Sequence, residues 1–311
     1  MLVKAGARWA TSPSVSEAPN TRWVVPALAA VYLVWGSTYL AMRVVVAAVP
    51  PFAMASARYL GVGLFLLALL KLRGAPWPTA RQWAWSAPVG ALMFVLGNGT
   101  VAFAEKHLSS GIAAVVCGTM PLWAAAMGPL WGERATPREW AGLALGFLGV
   151  ATLGLGRELR AEPLHAAVLL LAPIAWAAGS MLARAWPLPK GLMSAATQMT
   201  TGGAMMGLLS FALGERVPER IPPAVIASWL YLCVFGSLIA YSAYTYLLKV
   251  TRPAVATSYS YVNPVIAVLL GALLGGERAG PEVIASVLLV VSATAMVVLG
   301  RARPVTPVTR A

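Results

Sequence analysis

The sequence predicts an all-α integral membrane protein of ten transmembrane helices, built as two inverted five-helix repeats. Three observations carry this: an apolar, charge-poor composition, a run of ten apolar segments joined by short loops, and an internal repeat. Of 311 residues, 59% are hydrophobic and 11% charged, and the mean hydropathy is +0.76, whereas a soluble domain carries about 25% charged residues. A span needs roughly 20 apolar residues to cross about 30 Å of hydrocarbon at about 1.5 Å per residue. Ten spans consume most of this chain.

Residues 1–23 are rich in Ser, Pro, Thr and Asn without apolar periodicity and read as a disordered cytoplasmic tail. The apolar stretch at 24–46 exceeds a signal-peptide core and lacks a small-residue cleavage site, so it is expected to be a retained first helix. Further spans are expected at 52–72, 83–104, 110–131, 138–156, 164–184, 192–213, 224–248, 254–275 and 281–300, with a second tail at 301–311. The two repeats occupy 24–157 and 164–300. Their loops are short and punctuated by residues such as Gly74, Pro76, Pro187 and Pro222.

Short cytoplasmic loops are enriched in Lys and Arg. With the N-terminus inside, 15 of these cations fall on cytoplasmic segments and 7 on outer ones, while Arg58 lies within a span. Both termini are therefore expected in the cytoplasm.

The repeat is legible directly. Residues 121–137 read PLWAAAMGPLWGERATP and residues 264–281 read PVIAVLLGALLGGERAGP, one residue longer. Pro121 matches Pro264, Gly128 and Gly132 match Gly271 and Gly275, and each segment closes on Gly-Glu-Arg and a proline. Trp35 and Arg43 share their spacing with Trp176 and Arg184. Five spans per half is an odd number, which turns the second half upside down; secondary transporters with such repeats bind near the midplane between halves.

WGSTYLAMR at 35–43, PPFAMASARY at 50–59, FAEKHLSSGIAA at 103–114, the two Pro-to-GER segments and AYSAYTYLLKVTRPAVATSYSYVNP at 240–264 resemble the EamA family of the drug/metabolite transporter superfamily. The resemblance covers nearly all of 24–300. It implies a ten-helix permease of the plasma or bacterial inner membrane. Such a permease exports or exchanges amino acids, related metabolites or drug-like compounds, with no nucleotide hydrolysis and no cofactor.

The embedded polar residues suggest where a solute would bind. Proline at 121 and 264 frees the carbonyls of Cys117 and Ser260 and should kink both helices near the midplane. Stripes at helical spacing run along five spans: Tyr32, Trp35 and Tyr39; Met120, Trp123 and Met127; Trp176 and Ser180; Ser237, Tyr241 and Tyr244; Tyr259 and Asn263. Such a wall suits an amphipathic or cationic solute through stacking, cation-π attraction and a few hydrogen bonds. Asn98 and Glu105, seven residues apart, are expected on one face, and Arg58, about 9 Å inside its span, is expected to pair with Glu105 as a gating or coupling element. For each single residue the plainer roles are helix packing, an interfacial belt or a snorkelling cation. Pairs of GxxxG spacing, Gly128/Gly132, Gly142/Gly146, Gly203/Gly207 and Gly271/Gly275, suit close packing between halves, with a homodimer contact as the lesser use. The Glu of each GER motif, beside its Arg near a helix start, is expected to form a local pair or cap.

Other classes fit less well. The net charge of +13 comes with 10 Asp+Glu residues, all of them Glu, and with basic residues scattered singly, so a nucleic-acid partner is not indicated. Cys117 and Cys233 lie in apolar runs, and His107 and His165 are far apart in sequence without ligand spacing, so neither a metal site nor an enzyme centre is expected. A channel would want a ring of charges or carbonyls. An exchanger of sugar phosphates or nucleotide sugars would want several deep cations, and Arg58 is the single candidate. The expected partners are the lipid bilayer and a small-molecule solute.

Overall fold

The computed structural model describes residues 21–131, 136–153, 155, 156, 160, 162–251, 255 and 258–300. These residues form ten successive helical rods, without a strand among them. In order they are α1 (Val24–Val46), α2 (Pro51–Leu72), α3 (Ala80–Gly90, Ala91–Gly99 and Thr100–Ala104), α4 (Ser110–Cys117 and Met120–Met127) and α5 (Pro137–Leu153). There follow α6 (Pro163–Ala185), α7 (Leu192–Ala212), α8 (Pro223–Tyr231, Leu232–Ile239 and Ala240–Val250), α9 (Tyr259–Leu274) and α10 (Pro281–Gly300). Six rods are long and apolar enough to cross a membrane: α1, α2, α3, α4, α6 and α8. Large apolar side chains such as Phe211 (87% exposed), Leu273 (77%) and Leu208 (71%) stand on the outside, where hydrocarbon rather than water satisfies them.

The rod starts follow simple rules. α2, α5, α6, α8 and α10 all begin at proline, whose missing N–H is an orphan at a first turn anyway. α3 begins with a capping box in which Thr79 and Gln82 exchange side-chain and backbone bonds. Expected boundaries hold within a few residues except for two. The described part of α5 ends at Leu153 rather than 156, and the N–H groups of Leu155 and Gly156 donate to the carbonyls of Thr152 and Leu153 in a turn. The described part of α9 starts at Tyr259 rather than 254. The GER segment at 132–134, Arg157, residues 1–20 and the second tail lie outside the described residues, while Thr21–Trp23, expected within the disordered tail, form a 3-10 turn leading into α1.

The rods pack in a pattern that maps onto itself when α1–α5 are exchanged with α6–α10. α2 packs on α7 and α5 on α10; α1 packs on α8 and α9, as α6 packs on α3 and α4. The two rods with a wide π-turn segment, α3 (Ala91–Gly99) and α8 (Leu232–Ile239), are counterparts under the same exchange.

Between apolar helices in lipid, close packing replaces the hydrophobic drive. The α2–α7 seam shows how: a Cβ on Gly203 would stand 2.3 Å from Leu60 N, and one on Gly63 2.6 Å from Thr200 N. Ser56 Oγ donates to the Gly203 carbonyl at 2.8 Å across the seam. Gly142 and Gly146 meet α10 and α4 in the same way, so these glycines serve contacts within the chain.

Gly203→Ala should therefore lower stability by about 1–3 kcal/mol through backbone overlap. Gly61→Ala, with nothing within 4 Å of its added Cβ, should be neutral or stabilising by about 0.5–1 kcal/mol. Unfolding temperatures in one detergent check both; equal responses of the two variants would contradict this packing.

Candidate solute cavity

Proline at 121 breaks α4 outright. The Ser110–Cys117 segment ends, Leu122 and Trp123 both turn to the Thr119 carbonyl, and Thr294 Oγ1 of α10 donates to the Gly118 carbonyl at 3.1 Å. Proline at 264 sits inside a continuous α9. The rods cross at these points: a Cβ on Gly118 would lie 2.8 Å from Pro264 Cγ and 3.0 Å from the Ser260 carbonyl oxygen. Irregular backbone is tolerated at this depth only where protein or a cavity meets it.

A cavity of about 110 Å³ lies beside this crossing. Residues of α1, α2, α3, α4, α6, α7, α8 and α9 line it, so both halves contribute. Trp35 donates from Nε1 to the Gly236 carbonyl of α8 at 3.0 Å and packs edge-on to Tyr259, ring centroids 4.8 Å apart. Trp176 packs on Gly97 of α3, and its buried Nε1 has no partner. Each Trp thus meets a glycine in the π-turn rod of the other half. Asn263, with its amide oriented by its neighbours, donates to the carbonyls of Tyr32 and Tyr259 at 3.2 Å each, tying α1 to α9.

Arg58 is the charged residue of the lining. It is 5% exposed, donates from Nε to Ser237 Oγ at 2.8 Å and lies 4.7 Å from the Tyr59 ring centroid. No carboxylate among the described residues pairs with it.

Of the residues singled out from sequence, Trp35, Tyr39, Asn98, Met120, Trp176, Ser237, Tyr241, Tyr259, Asn263 and Arg58 line the cavity. Tyr32, Trp123, Met127, Ser180 and Tyr244 do not. Trp123 packs on Phe147 of α5, centroids 5.0 Å apart, because the break at Gly118 and Thr119 ends the regular turn before it. Ser180 lies one turn beyond Trp176, half-buried. Tyr244 forms a second layer behind Trp35, Tyr241 and Tyr259. The sequence reading missed Thr38, Tyr59, Phe94, Cys117 and Met199. Thr38 is three residues from Trp35, one helical step along a stripe already marked; the apolar ones carry no signal that separates lining from core.

The expected Arg58–Glu105 pair is not formed. Glu105 caps the end of α3, while Asn98 sits in the wide π-turn segment before it, so the 3.6-residue spacing that would put both on one face does not hold and Glu105 does not join Asn98 at the cavity. It is 1% exposed, and neither carboxylate oxygen has a partner. Burial, aided by the Glu277 carboxylate, raises its carboxyl well above the usual range against the pull of Arg43 and Arg58.

At the same end a latch of polar contacts ties the loops to the rods. Arg43 at the end of α1 donates to the carbonyls of Glu105 and Leu108 and stands 3.3 Å from Glu277 Oε1. Glu277 accepts from Ser110 N–H at 2.9 Å, Ser110 Oγ at 3.0 Å and Gly111 N–H at 3.2 Å. It therefore caps α4, a distant helix, rather than forming the local pair expected from the GER motif. Glu215 does the same for α2, accepting from the N–H groups of Phe52 and Ala53. First-turn N–H groups lack partners within their own helix and carry partial positive charge, so a loop carboxylate from elsewhere is attracted to them.

The profile of the EamA-like transporter family matches this chain at 22–155 and again at 164–299. The chain belongs to the EamA-like transporter family. The transporter is 40% identical over 276 residues to YedA of Escherichia coli, an inner membrane transporter, covering 88% of this chain and 90% of YedA. It is 28% identical to Protein PecM of Dickeya dadantii, covering 83% and 88% of the two chains. A crystal structure of 20% identity superposes with a TM-score of 0.60, covering 88% of this chain and 95% of the other, and shares the fold. This EamA-like chain is therefore a membrane transporter.

Glu105 makes the transporter's stability depend on pH. A carboxyl whose pKa is raised on folding holds more protons folded than unfolded, so stability falls as pH rises from the unfolded carboxyl pKa toward the folded one. Glu105→Gln should remove this fall and be the more stable protein at neutral pH, measured by unfolding temperature across a pH series. A parallel pH dependence in the variant would place the titration elsewhere. Glu277→Ala strands two N–H groups of α4 and should cost about 1–3 kcal/mol in the same assay; an unchanged midpoint would mean that the cap contributes nothing.

Proposed function

We propose that this chain is a secondary transporter, not an enzyme. It would export or exchange amino acids, related metabolites and other small amphipathic solutes by alternating access of the central cavity. The observation that carries the reading is Arg58, buried without a carboxylate partner in an aromatic-walled cavity contributed by both halves. A guanidinium presents a planar fork that suits a carboxylate, and Trp35, Trp176, Tyr241 and Tyr259 suit an apolar body beside it. Cationic solutes lose support, because no acidic residue lines the cavity to balance Arg58. Sugar phosphates and nucleotide sugars are disfavoured because one guanidinium is too few for several negative charges.

Ten membrane spans in two inverted repeats, with both termini cytoplasmic, complete the reading. The matched Pro-to-GER segments, the self-mapping pattern of rod contacts and the double family match support the repeat. The excess of basic residues on the loops at the other end from the Arg43–Glu277 latch supports the orientation. In this reading the latch closes the outer side, and Glu105 beside it carries the coupling proton.

Proteoliposome transport tests the solute class. Aromatic amino acids and 3-phenylpropionate should be carried and phenethylamine excluded. Arg58→Met should lower apparent affinity about 10- to 100-fold, the worth of a charge-assisted hydrogen bond of roughly 1.5–3 kcal/mol. Equal affinity for acid and amine would overturn the class. Cysteines placed at 157–162 and at 74–80 should label from opposite sides of the membrane; labelling from one side would overturn the inverted repeat.

A further inference from the structure

The chain has 2 histidines in 311 residues, one on the loop after α3 and one in the first turn of α6, and folding brings them together. The rings of His107 and His165 lie with centroids 4.0 Å apart. Both turn Nδ1 toward the same carboxylate: Glu162 Oε2 is 2.9 Å from His165 Nδ1, and Glu162 Oε1 is 3.5 Å from His107 Nδ1. One ligand atom from each residue lies within 4.8 Å of the others.

We propose that His107, Glu162 and His165 form a zinc site that clamps the latch end of the transporter. Zinc takes imidazole nitrogen at about 2.0–2.1 Å and carboxylate oxygen at about 2.0–2.2 Å in a tetrahedron. Those bond lengths place neighbouring ligand atoms about 3.3 Å apart; His165 Nδ1 and His107 Nδ1 stand 2.9 and 3.5 Å from the two different oxygens of the Glu162 carboxylate, so small side-chain shifts bring all three onto one ion. The His107 side chain is 41% exposed, which leaves the ion a path of entry and a fourth position for water. Two imidazoles and one carboxylate favour zinc over magnesium or calcium, which prefer oxygen ligands. Phe103 stacks on the His165 ring, centroids 4.7 Å apart, and holds it in place.

The location gives the ion its consequence. His107 lies between Glu105 and Leu108, the two residues whose carbonyls Arg43 grips. A metal bond from His107 to the α5–α6 joint ties the same loop to a third part of the chain. Zinc would stabilise this latched conformation and slow any cycle that must open it.

The test uses the full chain purified with a tag that contains no histidine and stripped with EDTA, so that the two native histidines are the imidazoles present. Zinc titration by calorimetry should give one ion per chain, with a zinc-dependent rise in unfolding temperature. Loss of an outer partner of a metal ligand costs about 10- to 100-fold in affinity, so loss of a ligand should cost at least that. His107→Gln, at an exposed side chain, and His165→Gln should each weaken binding by at least about tenfold and abolish the thermal shift. Absence of stoichiometric binding, or binding that survives in both variants, overturns the site. Both readouts are independent of transport, so failure of the zinc site and failure of the proposed solute class are distinguishable.

Discussion

Where α4 crosses α9, the two rods can meet only because residue 118 has no side chain to hold Pro264 and the Ser260 carbonyl away. That crossing joins α4 to α9 among buried residues, where an unpaired backbone group costs stability. Its cost is a broken helix, and Thr294 offsets part of it by donating to the Gly118 carbonyl. The break also sets what surrounds it. Cys117 and Met120 face the cavity from one side of the crossing, Tyr259 and Asn263 from the other, and Trp123 is carried away to Phe147.

Two kinds of polar contact follow from this arrangement. In the cavity, polarity is sparse and partly unspent: Arg58 meets no carboxylate among the described residues and Trp176 Nε1 has no partner, while Asn263 is committed to holding α1 against α9. At the latch end, by contrast, carboxylates from loops distant in sequence cap the starts of α2 and α4. The first pattern suits a site whose missing partner is a solute. In the proposed alternating-access cycle, the second would let a rod be held or released by a few charge-assisted bonds. Glu105 belongs to neither pattern. Buried beside Arg43 and bonded to nothing through its carboxylate, it is the group there whose protonation has most to gain from a change of surroundings.

The sequence by itself determined the all-helical fold and most rod positions, because hydropathy and proline at helix starts are local features, and the matched segments at 121–137 and 264–281 are what the proposed repeat rests on. It also marked most of the aromatic and amide lining, since stripes at helical spacing keep their face as long as the helix stays regular. Only the tertiary structure decided how these pieces meet. The π-turn segments and the break at Gly118 and Thr119 shift faces that a uniform 3.6-residue turn assigns, which is why Trp123 leaves the cavity. Arg58 bonds Ser237 rather than Glu105, Glu277 reaches Arg43 and Ser110 rather than its neighbouring Arg278, and His107 meets His165 across 58 positions of sequence. Charged and metal-binding groups act through space, and spacing along a chain does not carry distances between rods that pack side by side.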